Sequence, residues 1–276
     1  MIARIARLTA AEFLKLFAHP FLYLSLAILL AATLLAEILQ PLFLGQKESV
    51  WRAFHAIQLF AYGFKFGLKI ATFVLLIFSS MMFAGEFDRG TIKNLLTRPI
   101  TRAEFFLAKG VTVTGLALLL YGFILFVSLS YAFLRGDMGA VWDDSQYLIQ
   151  RDTAEIAGHA CKAALLSFIP FLAAGFLGFL VSNLTDSSGY AVAIALVMFL
   201  FGDVVTGMLS DRAQQKVFLY YGPYAIEKLR LYAEGTNTRW NPDIDRYRLY
   251  LTVPLCYIAL FLPCAFTIFR ARDITA

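Results

Sequence analysis

Six long apolar runs recur along the chain, and they constrain its fold more than any other feature. Each has roughly the 20 or more residues that an α-helix needs to cross ~30 Å of hydrocarbon. The runs are continuously apolar rather than alternating, which favours helices over a closed β-barrel. The sequence therefore predicts an all-α polytopic membrane protein with six transmembrane helices. They cover about Phe21–Leu39, Leu59–Ala84, Phe105–Leu134, Ala163–Val181, Gly189–Met208 and Leu249–Phe269.

Composition and motifs narrow the classes of function. Of the 276 residues, 60% are hydrophobic and only 16% are charged, against about 25% charged in soluble domains. The sequence contains no G-x-x-x-x-G-K-[ST] phosphate loop, no His-Glu-x-x-His helix and no Gly-x-Ser-x-Gly elbow. We therefore expect a chain that is not an enzyme and that binds neither ATP nor a metal itself. The net charge of +5 suits anionic membrane lipids better than nucleic acid, for which no motif is present.

The distribution of basic residues predicts the orientation, because short cytoplasmic loops are enriched in lysine and arginine. Basic residues cluster before the first run, between the second and third runs and after the sixth, and an even number of spans puts these segments on one side. The loop at about 135–161 is acidic and is expected outside. Both termini are therefore predicted to be cytoplasmic. The basic residues include Arg4, Arg7, Lys15, Arg89, Lys93, Arg98, Arg102, Lys109, Arg270 and Arg272.

Two segments outside the runs have a distinct character. Residues 2–17 form an amphipathic pattern with one basic and one apolar face, and His19-Pro20 breaks the helix before the first run. This favours a helix lying on the membrane surface over a simple extension of the first span. Residues 209–248 interleave aromatic and charged residues, and Gly222-Pro223 predicts a division into two short elements. They suit either re-entrant or surface helices at the outer end of a pathway or a passive aromatic belt.

The connection between the second and third runs, residues 85–109, reads GEFDRGTIKNLLTRPITRAEFFLAK. Gly90 permits a sharp entry, Thr91–Thr97 can form about two helical turns, and Arg98-Pro99 ends them. Thr101-x-x-Glu104 is a capping-box pattern that starts the third membrane helix. The result is a short basic helix between two spans, which is well placed to meet a soluble partner.

This connection resembles that of permease subunits of type-2 ABC transporters, which are mostly exporters. Those proteins carry a Glu-aromatic-(Asp/Glu)-x-Gly-Thr run, then Leu-Leu-x-x-Pro-Ile-(Ser/Thr)-Arg, then a Phe and a Lys. The chain's ending, Phe269–Thr275, also resembles theirs. The matching residues of the connection are Glu86, Phe87, Asp88, Gly90, Thr91, Leu95, Leu96, Pro99, Thr101, Arg102, Phe105 and Lys109.

The resemblance implies one transmembrane domain over residues 1–276, with residues 1–19 as an elbow helix and 86–100 as a coupling helix that docks on an ATPase subunit. It further implies a second permease, identical or related, and two separately encoded ATPase copies that bind ATP and Mg. The expected location is the bacterial plasma membrane. The implied coupling residues are Glu86, Phe87, Asp88, Gly90, Thr91, Ile92, Lys93, Leu95, Leu96, Arg98 and Arg102.

A few charged residues fall inside the runs, where charge is costly and often functional. Asp203 lies about 21 Å and Lys69 about 22 Å from the inner ends of their spans at ~1.5 Å per residue, and Lys65 shares a helical face with Lys69. These residues form either a polar patch or ion pair on a pathway wall, or side chains that extend to the outer headgroups and water. Glu37, near the outer end of the first span, is expected to be interfacial.

The function expected from these observations is that of a permease subunit of an ATP-driven exporter. An alternative within the membrane class is a permease-like subunit that transmits force to an extracytoplasmic partner protein without moving a substrate. An intramembrane enzyme is disfavoured because no catalytic constellation is present. The substrate is not revealed by the sequence.

Overall fold

A computed structural model describes residues 2–43, 56–91, 100–136, 141–142, 150–151, 153–233 and 244–272. Within these residues the protein is helical apart from one antiparallel pair of two-residue strands, β1 (Val141–Trp142) and β2 (Gln150–Arg151). The predicted all-α fold is confirmed. The helices are α1 (Ile2–Ala18), α2 (Pro20–Phe43), α3 (Ala56–Asp88), α4 (Arg102–Arg135), α5 (Thr153–Ser182), α6 (Ser188–Met208), α7 (Asp211–Gln214), α8 (Phe218–Ala233) and α9 (Ile244–Ala271).

Six of the described helices are long and apolar enough to cross a membrane, namely α2, α3, α4, α5, α6 and α9. Each contains one of the six predicted runs, so the multi-pass membrane fold is confirmed. One boundary differs substantially from the expectation. Helix α5 begins at Thr153, so the last third of the predicted 135–161 loop is helical. Continuous helix-forming residues there extend the span beyond its apolar part.

Helix α3 lies at the centre of the bundle and packs against α2, α4, α5, α6 and α8. It also packs closely on α5, where a Cβ atom on Gly178 would lie against the Ser79 hydroxyl oxygen and 3.0 Å from the backbone oxygen of Leu76. Glycine at position 178 therefore lets the two helices come this close. By contrast, most of α2, α6 and α9 lies at the periphery, and large apolar side chains such as Ile28, Phe201 and Leu255 are exposed there. These faces suit lipid or another membrane subunit.

The structure corrects one detail of the region 209–248. Helix α8 runs through Gly222-Pro223 without a break, and the division falls earlier, between α7 and α8. Tyr221, Ala225 and Leu229 are buried on the face that packs against α3 and α5. Burial of this apolar face offsets the cost of about 3 kcal/mol for an internal proline. Residues 234–243 lie outside the described part of the chain, and the placement of 209–248 on the outer side stays a prediction.

Candidate functional site

Four charged side chains meet where α1 packs against α4 and the end of α3. Lys109 of α4 donates to Glu12 Oε2 at 3.1 Å and to Glu86 Oε1 at 3.0 Å. It also donates to the carbonyl oxygen of Met82 at 2.7 Å. Lys15 donates to Glu12 Oε1 at 2.6 Å and to Glu86 Oε1 at 3.2 Å. Two cations and two carboxylates thus compensate one another, and we call Glu12, Lys15, Glu86 and Lys109 the four-charge cluster.

Burial differs sharply between the two lysines of this cluster. The Lys109 side chain is 1% exposed, and the carboxylates of Glu12 and Glu86 are 10% and 13% exposed. The Lys15 side chain, in contrast, is 56% exposed. A buried ammonium group is tolerated only when it is paired and hydrogen-bonded. The folded arrangement of α1, α3 and α4 therefore depends on Lys109 far more than on Lys15.

The two members of the cluster on α1 have perturbed pKa values. Burial by itself would raise the pKa of the Glu12 carboxyl, but the charge of Lys109 and the hydrogen bond from Lys15 outweigh it, and the pKa is lowered. Burial would likewise lower the pKa of the Lys15 ammonium, but the hydrogen bond to Glu12 and the charge of Glu86 raise it. Both groups are therefore charged at neutral pH.

Two aromatic rings pack against the ammonium group of Lys109. Its Nζ lies 5.4 Å from the ring centroid of Phe83 and 5.0 Å from that of Phe105, which is within the range of cation–π attraction. The Phe83 ring in turn packs against Phe179 at 5.2 Å and against Phe269 at 4.7 Å between centroids. The phenylalanine of the chain's ending thus belongs to the same core as the connection between α3 and α4.

Asp88, the last residue of α3, binds the start of α6. Its Oδ2 accepts a hydrogen bond from the Ser188 hydroxyl at 2.6 Å and one from the Ser188 backbone N–H at 3.4 Å. A short loop such as 183–188 would ordinarily cap its own helix through Asp186 or Ser187. Ser187 does occupy the N-cap position, but its side chain makes no capping bond, and Asp186 pairs with Arg272. A carboxylate from a different span has taken the capping role.

The C-terminal segment is tied to the same end of the bundle. The Arg272 guanidinium lies 4.0 Å from the ring centroid of Phe87 and donates to two backbone carbonyls of the 183–187 loop at 3.1 and 3.3 Å. Arg102, at the start of α4, donates to the carbonyl oxygens of Arg270 at 2.9 Å and of Arg272 at 3.1 Å. These carbonyls lack helical partners at the end of α9, and Arg102 satisfies them.

The entry to the α3–α4 connection has the predicted turn. Gly90 adopts a φ of +63°, a left-handed conformation that glycine adopts without strain. The Thr91 hydroxyl then donates to the carbonyl oxygen of Glu86 at 3.4 Å. The predicted helix Thr91–Thr97 lies almost wholly in residues 92–99, outside the described residues. The coupling residues that fall there are Ile92, Lys93, Leu95, Leu96 and Arg98.

The exit from the connection is confirmed as a capping box. The Glu104 backbone N–H donates to the Thr101 hydroxyl oxygen at 3.2 Å, and the Thr101 N–H donates to Glu104 Oε2 at 3.1 Å. These two reciprocal hydrogen bonds satisfy two backbone N–H groups at the start of α4. The connection is therefore fixed at both ends, by Gly90 and the four-charge cluster before it and by Thr101 after it.

A recess of about 420 Å³ opens beside the four-charge cluster. It is lined mainly by α1, the second half of α3 and the residues that follow α3, and it includes His19, Arg89 and Thr91. Its polar rim and its position next to the turn at Gly90 make this end of the bundle the best candidate for contact with another protein. Glu12, which lines it too, was not singled out from the sequence, and Lys15 was noted only as a basic residue of the N-terminal helix. Their spacing of three on an amphipathic helix was the signal that could have indicated the pair.

The intramembrane charges form two ion pairs in the first half of α3, away from the four-charge cluster. Lys69 Nζ lies 3.0 Å from Asp203 Oδ2 on α6, and Lys65 Nζ lies 2.6 Å from Glu227 Oε2 on α8. The sequence left open which lysine Asp203 pairs with, and Glu227 was not anticipated. Between 30% and 54% of each of these side chains is exposed. Both lysines and Asp203 border a recess of about 160 Å³, which we call the polar recess.

Comparison with known proteins agrees with this arrangement. The family described as "ABC-2 family transporter protein" matches residues 8–202, which include the four-charge cluster and the connection. The chain is also similar to the uncharacterized protein YhcI of Bacillus subtilis (strain 168), with 26% identity over 215 residues. That alignment covers 76% of this chain and 66% of YhcI, so the match spans just under two thirds of the relative. With six membrane-spanning helices and a match over most of its length, the chain belongs to the ABC-2 family of transporter proteins.

Proposed function

We propose that this chain is the permease subunit of an ATP-driven exporter. Two permeases, identical or related, form the substrate pathway, and each engages one of two separately encoded ATPase subunits that bind ATP and Mg. The protein resides in the bacterial plasma membrane with both termini in the cytoplasm. Membership of the ABC-2 family supports the transport role. The excess of lysine and arginine in the segments at the end of the bundle that holds the four-charge cluster supports a cytoplasmic position for that end.

The observation that carries this proposal is the anchoring of both ends of the α3–α4 connection. Before the connection, Glu86 and Asp88 tie α3 to α1, α4 and α6 through charged hydrogen bonds. After it, Arg102 ties α4 to the end of α9. A displacement of the connection is therefore passed to five helices at once, instead of being absorbed by a loose loop. A segment attached at both ends to several helices suits the transmission of force from an ATPase.

The mechanism follows from this attachment of the connection to the helices. ATP binding closes the ATPase pair, whose surface holds the connection, and the connection moves as a lever on α3 and α4. The permease pair then shifts between inward-facing and outward-facing populations because the closed ATPase binds one of them more tightly. This chain makes and breaks no covalent bond in the cycle.

The polar recess is the proposed contact of this chain with the pathway. Lys69 and Asp203 retain 54% and 40% exposure although they lie within spans, and charged residues at such positions generally face a cavity or another subunit rather than lipid. Gly222 and Pro223 of α8 also line this recess, so the proposed pathway wall includes α8. A second permease facing this surface would enclose a polar passage.

The experiment addresses the connection directly. Replacing Leu95 and Leu96 together by Asp should abolish co-purification with the ATPase, because two charges replace apolar groups at the docking surface. The matched control replaces the same two residues by Met, which preserves apolar contact and should preserve the complex. Membrane insertion of both variants is checked by resistance to alkaline extraction. An ATPase complex unaffected by the Asp variant would refute the assignment.

A force-transmitting subunit remains the alternative within the same family architecture. The two mechanisms differ in what stimulates the ATPase of the reconstituted complex. A transported compound should raise hydrolysis in proteoliposomes that contain only the permease and the ATPase. Stimulation that requires an added extracytoplasmic protein, and no compound, would instead favour force transmission.

A further inference from the structure

Glu37 is a buried acid within the first span. The sequence suggested an interfacial position, but the structure corrects this, since Glu37 is 1% exposed. It lies about 25 Å along α2 from Pro20 at ~1.5 Å per residue. In the part of the chain that the structure describes, neither carboxyl oxygen lies within hydrogen-bonding geometry of a partner. The helix turns its one charged residue towards the protein instead of towards the headgroups.

Two glycines of α3 make room for this face of α2. A Cβ atom on Gly63 would lie 1.8 Å from Glu37 Oε1, and a Cβ atom on Gly67 would lie 2.6 Å from the Thr33 hydroxyl oxygen. Thr33 and Glu37 are four residues apart, as are Gly63 and Gly67, so both pairs lie along matching faces of their helices. The carboxyl group thus occupies a slot that any larger residue on α3 would fill.

The charged groups near the slot determine whether Glu37 can be ionised. Among the described residues, no lysine, arginine or histidine side chain forms an ion pair with Glu37. The neighbouring polar group on α4 is the buried Ser128 hydroxyl, which likewise meets no full hydrogen-bond geometry with any described residue. Tyr131 on α4 interacts electrostatically with both Glu37 and Arg135, and among the described residues Arg135 forms no ion pair with Glu37.

Helices α2 and α3 supply no compensating charge either. On α2, Glu37 is the only charged residue, and on α3 the lysine nearest in sequence, Lys65, is held by Glu227. An ionised carboxylate in this slot would be desolvated and unpaired, which is among the least favourable states of an acidic side chain. The neutral acid avoids this penalty and gains a hydroxyl group that can donate to a neighbouring oxygen.

We propose that Glu37 is a membrane-embedded proton-binding site, which carries its proton while α2 is packed on α3. Thr33 and Ser128 supply the neighbouring hydroxyl oxygens, and Gly63 supplies the space. Separation of α2 from α3 admits water to the carboxyl group, which then ionises and releases the proton. Packing of the first span and protonation of Glu37 are therefore linked, so that raising the pH favours separation.

Infrared spectroscopy of the full-length protein in lipid bilayers tests this site. A protonated carboxyl group has a C=O stretching band distinct from that of a carboxylate, and the band shifts in D₂O. We expect this band at neutral pH in the wild-type protein and its loss in Glu37→Gln. The matched control is Glu155→Gln on α5, at an exposed position, which should leave the band intact.

The pH dependence of stability provides a second measurement. The melting temperature of the wild-type protein should fall as the pH is raised and the acid band disappears, whereas Glu37→Gln, which stays neutral, should not show this loss. If Glu37→Gln does not fold, Ser128→Ala identifies the carrier, because removal of the facing hydroxyl should shift the band without abolishing it. Absence of the band at neutral pH overturns the proposal, as does a stability that depends on Na⁺ instead of on pH.

Discussion

Replacement of Lys109 by Met is the perturbation that most directly tests the four-charge cluster. Methionine preserves the length and the apolar stem of the side chain and removes only the ammonium group. Glu12 and Glu86 then face each other with Lys15 as their remaining charged partner in the cluster, and the carbonyl oxygen of Met82 loses its donor. The expected result is destabilisation of the junction between α1, α3 and α4.

The magnitude follows from burial. Because Lys109 is 1% exposed and pairs with carboxylates that are 10% and 13% exposed, its removal leaves charges uncompensated, which costs about 3–5 kcal/mol in the free energy of unfolding. Lys15 contacts the same two carboxylates but is 56% exposed. Its replacement by Met should therefore cost only about 0.2–1 kcal/mol. Lys15→Met is thus a matched control with the same chemistry and the same partners.

The assay is denaturant unfolding of the purified protein in detergent micelles, followed by the fluorescence of a probe attached to α1. A third variant, Lys109→Met combined with Glu86→Gln, removes one uncompensated carboxylate and should recover part of the loss, with a coupling energy of about 0.5–3 kcal/mol. Losses of less than about 1 kcal/mol for both single lysine variants would refute the reasoning that burial decides the strength of this cluster.

The same cluster predicts a pH window for the docking of α1. The pKa of Glu12 is lowered from 4.5, so its stabilising contribution is complete above that value and is lost as the pH falls through the lower folded pKa. The pKa of Lys15 is raised from 10.5, so its contribution is complete below that value and is lost as the pH rises through the higher folded pKa. Helix α1 should therefore stay docked between these limits, with the smaller loss of stability on the alkaline side because Lys15 is largely exposed to solvent.

Two further predictions concern the polar recess and the topology. Asp203→Lys should impair transport or folding. Adding Lys69→Asp should restore part of the loss and adding Lys65→Asp should not, because Lys69 is the observed partner of Asp203. Equal rescue by both lysine variants would contradict the pairing. In a cysteine-free background, an impermeant thiol reagent applied to intact cells should label a cysteine at position Asp144 and spare one at Asn94, and the opposite pattern would invert the orientation.

The spans and the local caps were predictable because their causes lie within a few consecutive residues. A run of apolar residues long enough to cross the bilayer is visible in the sequence alone, and all six runs coincide with helices. The capping box of Thr101 and Glu104 spans four residues, and the turn at Gly90 depends on a single one. Such features need no knowledge of the tertiary fold, since the interacting groups are already neighbours in the chain.

The contacts of the candidate site could not be derived in this way, because their partners lie far apart in sequence. Asp88 and Ser188 are 100 residues apart, and Glu12 and Lys109 are 97 apart. The capping of α6 illustrates the difficulty: local rules indicated Asp186 or Ser187, but the folded bundle brought a stronger acceptor from α3. Local sequence indicates which polar groups need a hydrogen-bond partner, but tertiary packing determines which residue becomes that partner.

Glu37 shows how such a contact could be sought in a membrane protein. Its type and its position near the end of a span suggest an interfacial residue. For Lys69 the sequence left open an ion pair or a side chain extended to the outer headgroups, and the structure shows it half exposed and paired with Asp203. What distinguishes Glu37 is a pattern shared by two helices, with Thr33 and Glu37 at a spacing of four opposite Gly63 and Gly67 at the same spacing. Small residues on one span create the space that a polar face on another requires. A comparison of such spacings between spans would have placed Glu37 inside the bundle. The charged residues of each span, considered separately, place it at the surface instead.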